Sequence, residues 1–163
     1  MPRYNAQWQT AAALASNSVL AWMGFTVVPA RLRRCTIGVA NSGGTITSMQ
    51  CQVGLNLATT GSPATPVNVT SNNMAPFGGT PVASTNKLIS AWTTAPTLGA
   101  QTTDAYTITF NDQLMGDLPW ELLEEFWFSG AGLAANGGIA FVNRSGAALP
   151  GSHYFTIAVE WEE

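Results

Sequence analysis

Charge is what this chain has least of. Of its 163 residues only 9% are Asp, Glu, Lys or Arg, against about 25% in an ordinary soluble domain. Lys87 is the one lysine, and from Cys35 through Asn86 there are 52 consecutive uncharged residues. Hydrophobic content is nevertheless 46%, so charge-driven disorder is excluded, as is a surface kept soluble by dense ionic groups. Nucleic acid is not an expected partner, because too few cations are present to displace counterions from phosphates. The 2 cysteines cannot build a disulfide scaffold. With the single His153 they cannot fill a four-ligand zinc site unless acids or a second subunit contribute. Long apolar runs are missing too. Val19 to Ala30 holds 12 residues, short of the roughly 20 a membrane helix needs, so no membrane is expected. Met1 to Thr10 lacks the basic-then-apolar order of a secretory leader, and synthesis in the cytoplasm is expected.

The few charges are polarised. Arg3, Arg31, Arg33 and Arg34 stand in the first 34 residues, whereas Glu121, Glu124, Glu125, Glu160, Glu162 and Glu163 come late. These are either two solvated patches or ends brought together in an oligomer.

What the chain has in quantity is alternation of period two. Cys35, Ile37 and Val39 share one face; Cys51, Val53 and Leu55 share another. Asn41-Ser42-Gly43-Gly44 reads as a turn between them, and a hairpin centred on Gly43 sets Cys35 opposite Cys51 on the core face. Two reduced, buried thiols are expected there, with oxidative cross-linking the alternative. Tyr106, Ile108 and Phe110 form a further strand, Gly138 to Val142 another, and Phe126, Trp127 and Phe128 an aromatic one. The last strand is the clearest, with Phe155, Ile157, Val159 and Trp161 on one face and Tyr154, Thr156, Ala158 and Glu160 on the other. The core is expected to hold Cys35, Ile37, Val39, Cys51, Val53, Leu55, Phe155, Ile157, Val159 and Trp161.

About eight short strands with glycine-rich turns and hardly any helix predict an all-β fold: a two-sheet antiparallel sandwich, wrapped as a jelly roll. Residues 1–16 read as an N-terminal arm or short helix, from the spacing of Trp8, Ala11, Ala12 and Ala15. Residues 17–163 read as the sandwich domain, with a long Thr/Pro/Gly-rich loop over 58–84. A loop of that length is either a binding or interface element or a polar surface loop. A helical turn is also allowed at 118–125, where Pro119 follows Asp117.

Catalytic constellations fail. There is no Gly-x-Ser-x-Gly elbow, no His-Glu-x-x-His and no phosphate-binding glycine loop. His153 reads as a strand-end residue. Alternation points Cys35 and Cys51 inward, away from nucleophilic work. Asp104, Asp112 and Asp117 read as turn caps, since they lack calcium-loop spacing. No enzyme, metal or cofactor is expected. The 6 tryptophans divide between core filling and interface anchoring. Trp8, beside Arg3 and Tyr4, is the interface candidate, unless the terminus folds back over the sandwich.

The layout resembles the small jelly-roll decoration, or cement, proteins of tailed bacteriophages. The likeness lies in Ala21-Trp22 of an early strand and in Pro29-Ala30-Arg31-Leu32-Arg33-Arg34 leading into Ile37-Gly38-Val39. The Thr/Pro loop, the Gly130 to Gly138 region and the closing Tyr154 to Glu163 complete it. It implies a tumour-necrosis-factor-like or viral jelly roll forming a homo-oligomer, with a trimer expected, on the outer surface of the capsid in the virion. The major capsid protein would be its partner. By the same resemblance Arg3, Tyr4, Trp8, Arg31 and Arg33 would meet the shell, and Phe126, Trp127, Phe128 and Tyr154 would lie between subunits. The alternative is a carbohydrate-binding or receptor-binding module on exposed aromatics, and a lesser one a shell-forming major capsid jelly roll.

Overall fold

The computed structural model describes residues 3–10, 14–24, 30–41, 50–58, 62–63, 68–69, 72–73, 87–89, 92–100, 102, 104–111, 116–117, 127–128, 138–146 and 153–163. Among them there is no α-helix. The strands are β1 (Arg3–Gln9), β2 (Val19–Gly24), β3 (Ala30–Asn41), β4 (Gln50–Ala58), β5 (Ser62–Pro63), β6 (Asn68–Val69), β7 (Asn72–Asn73), β8 (Lys87–Ile89), β9 (Trp92–Thr94), β10 (Tyr106–Asn111), β11 (Gly116–Asp117), β12 (Trp127–Phe128), β13 (Gly138–Asn143) and β14 (His153–Glu162).

Twelve of them form two antiparallel sheets, and β5 pairs with β9 in a separate two-stranded ribbon. The first runs β11-β3-β14-β1-β7, with β12 also on β3; the second runs β10-β4-β13-β2-β8-β6. Taking β11 and β12 together, the eight principal strands pair first with last (β1 with β14) and second with seventh (β2 with β13). The third pairs with the sixth (β3 with β11 and β12) and the fourth with the fifth (β4 with β10). The two inward faces meet in one core. Ala6, Cys35, Ile37, Phe155, Ile157, Val159 and Trp161 from the first sheet pack with Cys51, Val53, Leu55, Ile108, Phe110, Ile139 and Phe141 from the second. Val39 is half-buried against this core. The fold is thus the two-sheet sandwich that the alternation predicts.

Period two is strictest in β14, where every second side chain from His153 to Trp161 is buried. Its partner β3 needs a correction to stay in phase. Glu160 pairs with Arg34 but Trp161 pairs with Leu32, so Arg33 is the extra residue of a bulge. That bulge reverses the parity of β3 and turns Leu32 and Ala30 inward along with Cys35 and Ile37. β13 lies in mid-sheet between β2 and β4 and is buried throughout. At its start, a Cβ on Gly138 would run into the backbone carbonyl of Met23, so only glycine fits.

Two expectations are corrected. β3 and β4 are not a hairpin: β3 is bordered by β14 and by β11 with β12, and β4 by β10 and β13. Cys35 instead sits opposite Val159 and Cys51 opposite Phe110. Both are buried and neither is in a disulfide. The chain crosses from one sheet to the other between them, because each strand buries one face and the two faces need each other. Residues 3–9, read as part of an arm or helix, are a strand hydrogen-bonded along its length to β14. Tyr4 and Ala6 are buried, and a helix at 3–9 would scatter them round its circumference. Within 58–84, β7 borders β1 and β6 borders β8. The segments 118–126 and 129–137, with Phe126 and the expected helical turn, lie outside the described residues.

A second, smaller apolar cluster lies on the other face of the second sheet. Trp22, Ile89, Ala140 and Val142 are buried there, with Val19, Trp92 and Leu98 packed over them. Trp92 stacks on Trp22 with ring centroids 5.9 Å apart. The 92–100 segment therefore covers that face.

Candidate functional site

Two places concentrate polar side chains. The first is the outward face of the first sheet. Strand parity sends Gln7 and Gln9 outward from β1, Thr156, Ala158 and Glu160 from β14, and Arg34 and Thr36 from β3. Register lines them up in rows: Gln9 beside Thr156 and Gly38, Gln7 beside Ala158 and Thr36, Asn5 beside Glu160 and Arg34. Because the middle strand carries Thr and Ala where β1 carries Gln, the rows make a trough. The open groove has a volume of about 510 Å³ and is lined by Gln7, Trp8, Gln9, Thr36, Thr156, Ile157 and Ala158. It adjoins a smaller depression of about 240 Å³ between Gln7, Arg34, Thr36, Ala158 and Glu160. Only the smaller end carries charge. Such a floor offers neutral hydrogen-bonding groups and close approach for another surface.

At the charged end, Glu162 accepts from Arg3 Nε at 2.8 Å and faces Arg33 Nε at 3.0 Å. Its carboxylate is nearly buried, whereas Arg3 is more than half exposed. The bulge in β3 is what brings Arg33 to this carboxylate. Arg31 lies in register with Glu162 on one side and Trp127 on the other. Of the residues expected to meet a partner, Arg3 is thus solvent-facing. Tyr4 is in the core, stacked on Trp161 at 5.7 Å, and that burial removes it from any outer contact surface. Trp8 is half-buried and donates its indole N–H to the Leu20 carbonyl at 3.1 Å, tying the two sheets together. Tyr154 is half-buried on the outward parity of β14. Trp127 and Phe128 lie on β12, beside Arg31 and Ala30 of β3.

Burial of Tyr4 raises its phenol above the ordinary value of 10.0, and the Glu163 carboxylate adds to the rise. Below pH 10 the group is neutral in both folded and unfolded chains. As pH climbs past 10 the unfolded chain ionises first, so stability falls until the folded-state pKa is passed. Tyr4→Phe is expected to remove this part of the alkaline loss. Urea midpoints of both proteins between pH 9 and 11 test it, and equal slopes would clear Tyr4 of the effect.

The second place is internal. Arg144, just after β13, grips Asp104 with two bonds, Nη2 to Oδ1 at 2.8 Å and Nε to Oδ2 at 3.0 Å. The two side chains are only 5% and 3% exposed, a bidentate pair in a dry setting. Arg144 Nη1 also donates to Asn17 Oδ1 at 2.9 Å, and Asn17 holds a left-handed backbone with φ 63°, which Asn tolerates better than most residues. Asn56 Nδ2 donates to Asp104 Oδ1 at 2.6 Å and to the Ala100 carbonyl, while its Oδ1 accepts from the Gly99 amide at 2.8 Å. Gly54 makes room, since a Cβ there would collide with Asp104 Oδ2. The cluster fastens residues 14–18, residues 99–100 with 104–105, and residues 143–145 to β4. It is a clasp, and every group in it is engaged in holding the others.

Sequence reasoning missed this clasp. The available signal was isolation: Arg144 is the one charged residue between Glu125 and Glu160, and Asp104 the one between Lys87 and Asp112. Two lone opposite charges in neutral stretches are candidates for each other.

Among the described residues no three of His, Cys, Asp and Glu gather in a metal-binding group. His153 is buried in β14 opposite Asn41. No helix among the described residues is long and apolar enough to cross a membrane. Comparison with known proteins yields no matching family model, no matching curated protein and no matching solved structure.

Proposed function

We propose that this chain is a non-enzymatic structural protein of a bacteriophage virion, which assembles with copies of itself and attaches to the outer surface of the capsid. The observation that carries the reading is the outward face of β1, β14 and β3: a broad trough floored by Thr36, Thr156 and Ala158. The centre of a permanent interface is depleted in charge, because each ion buried there must lose its water. Here the charges gather at one end, where Glu162 forms ion pairs with Arg3 and Arg33. The first-with-last, second-with-seventh pairing order supports a jelly-roll winding, the shape that the resemblance to decoration proteins calls for.

The mechanism is multivalent clamping. Several weak contacts to the major capsid protein, joined through one oligomer, act at high effective concentration and hold neighbouring shell subunits together. Since residues 3–9 are bound into the sheet, these contacts fall to the sandwich surface and exposed side chains such as Arg3 and Arg34, in place of a free arm. A trimer is the proposed assembly.

A second reading draws on the same groove. Gln7, Gln9, Thr36 and Thr156 are neutral donors and acceptors suited to sugar hydroxyls. Light scattering decides between them. The purified protein should exceed its monomer mass of 17.1 kDa and should add mass to undecorated phage heads. A monomer that leaves heads unchanged and binds a glycan would reverse the assignment.

A further inference from the structure

The edges of a sandwich govern how it meets other chains, since an edge strand carries a row of unpaired main-chain groups. Three of the four edges are finished by two-residue fragments: β7 beside β1, β11 and β12 beside β3, and β6 beside β8. The fourth is β10. It has six residues, Tyr106–Asn111, in unbroken register with β4 on one side. Among the described residues no strand pairs with the other side of Tyr106 to Phe110; the nearby β11 is hydrogen-bonded to β3. The sequence Tyr-Thr-Ile-Thr-Phe-Asn contains none of the usual guards, neither lysine nor proline nor a bulge. Ile108 and Phe110 are buried, while Thr107 and Thr109 are exposed.

We propose that β10 is a self-association edge: β10 of a second copy adds to it antiparallel about a two-fold axis, joining the two β10-bearing sheets into one. Residues opposite each other across an antiparallel pair share a face, so the axis must fall on a residue of the strand. With the axis at Ile108, Thr107 meets Thr109 of the second copy and Ile108 meets its own equivalent. With the axis at Thr109, Thr109 meets Thr109, and Ile108 meets Phe110. Either register sets threonine near threonine outside and apolar side chains together inside, and both kinds of pair are favourable across strands. The strand carries no charge, so it meets no like charge in its own copy and offers none to attract a charged segment. The contact is isologous, as a two-fold requires. It stands on the edge itself and does not depend on attachment to a capsid; where the trough closes a trimer, β10 would link such trimers in pairs.

Cysteine cross-linking and charge insertion test this together. Oxidised Thr109→Cys alone, or the double variant Thr107→Cys/Thr109→Cys, should give covalent dimers that the wild type does not, since Cys35 and Cys51 are buried. Thr107→Lys/Thr109→Lys should weaken β10-mediated association at least tenfold by analytical ultracentrifugation, with an unchanged unfolding midpoint because both positions are exposed. Should the lysine variant fail to fold, the cysteine variants decide alone. Absence of any cross-link, with unchanged association of the lysine variant, overturns the proposal. A lysine variant that self-associates normally yet no longer binds undecorated heads also overturns it, assigning the edge to a strand of the shell. Cross-linked dimers that ignore heads would uphold β10 pairing while removing the capsid reading.

Discussion

Arg144→Ala is expected to destabilise the fold by about 3–5 kcal/mol, the usual cost of stranding one member of a buried ion pair. Asp104 would keep its charge in a site where its side chain is 3% exposed, with Asn56 the remaining donor among the bonds described. Asn17 would lose the guanidinium that its Oδ1 binds. At about 2–4 °C per kcal/mol for a chain of this size, the melting temperature should fall by roughly 10 °C. The double variant Asp104→Asn/Arg144→Met should recover much of the loss, because neither partner is then left charged and alone. A double-mutant cycle on urea midpoints would show a coupling above about 2 kcal/mol. Hydrogen exchange locates the damage: the amides of Gly99 and Ala105, bonded to Asn56 Oδ1 and the Leu55 carbonyl, should exchange faster in Arg144→Ala, while those of β14 lag behind. A cost below 1 kcal/mol would mean that the three segments are held by packing and not by the clasp.

The clasp also marks where sequence reading ran out. Alternation is a local property, and it placed β4, β10 and β14 well because each buries one face of an antiparallel sheet. Partner choice is not local. The Asn41 to Gly44 turn signal suggested that Cys35 and Cys51 share a hairpin, yet the same inward parity serves a strand facing the core from either sheet. A glycine-rich connection that closes a hairpin also bridges a sandwich. The N-terminal strand was legible in principle: Tyr4, Ala6 and Trp8 alternate with Asn5, Gln7 and Gln9. The alanines from residue 11 onward favoured a helical reading that began at Trp8, and nothing local outweighs that spacing until β14 supplies a hydrogen-bonding partner. The bulge at Arg33 was invisible for a related reason. It exists because Leu32 and Ala30 have even parity while Cys35 and Ile37 have odd, a mismatch that needs an extra residue only once all four must face one core.

The groove on the β1–β14–β3 face follows from the same rules. Its floor is small because β14 alternates core residues with Thr156 and Ala158, and β3 sets Thr36 beside Ala158. A chain so poor in ions needs cover, and several of the ions it has are already paired with one another. Asp104 and Arg144 are inside the fold, and Glu162 lies between two arginines. The main part of the trough and the β10 strand themselves carry no charged side chain that would keep another copy away.

Trp161→Ala carries the other large expected effect, about 3–5 kcal/mol, as for other fully buried large aromatics. The indole is completely enclosed and stacks on Tyr4, and its N–H donates to Glu163 Oε1 at 3.1 Å. Truncation would open a cavity at the point where β1, β3 and β14 come together and where the β3 bulge needs Trp161 opposite Leu32. Glu162 follows directly in the chain, so its bonds to Arg3 and Arg33 would loosen as well. Trp161→Phe keeps a ring against Tyr4 and should cost only part of this, on the order of 1–3 kcal/mol. The two variants differ in a second readout. Opening the cavity admits water beside Tyr4, so in Trp161→Ala its phenol should titrate nearer to 10, while in Trp161→Phe it should stay raised. Urea unfolding gives the stability and ultraviolet titration of the tyrosinate gives the shift. If both variants unfolded at the wild-type midpoint, the terminal strand would be an appendage to the sandwich, and the trough that it floors would lose its claim to be a rigid surface for assembly.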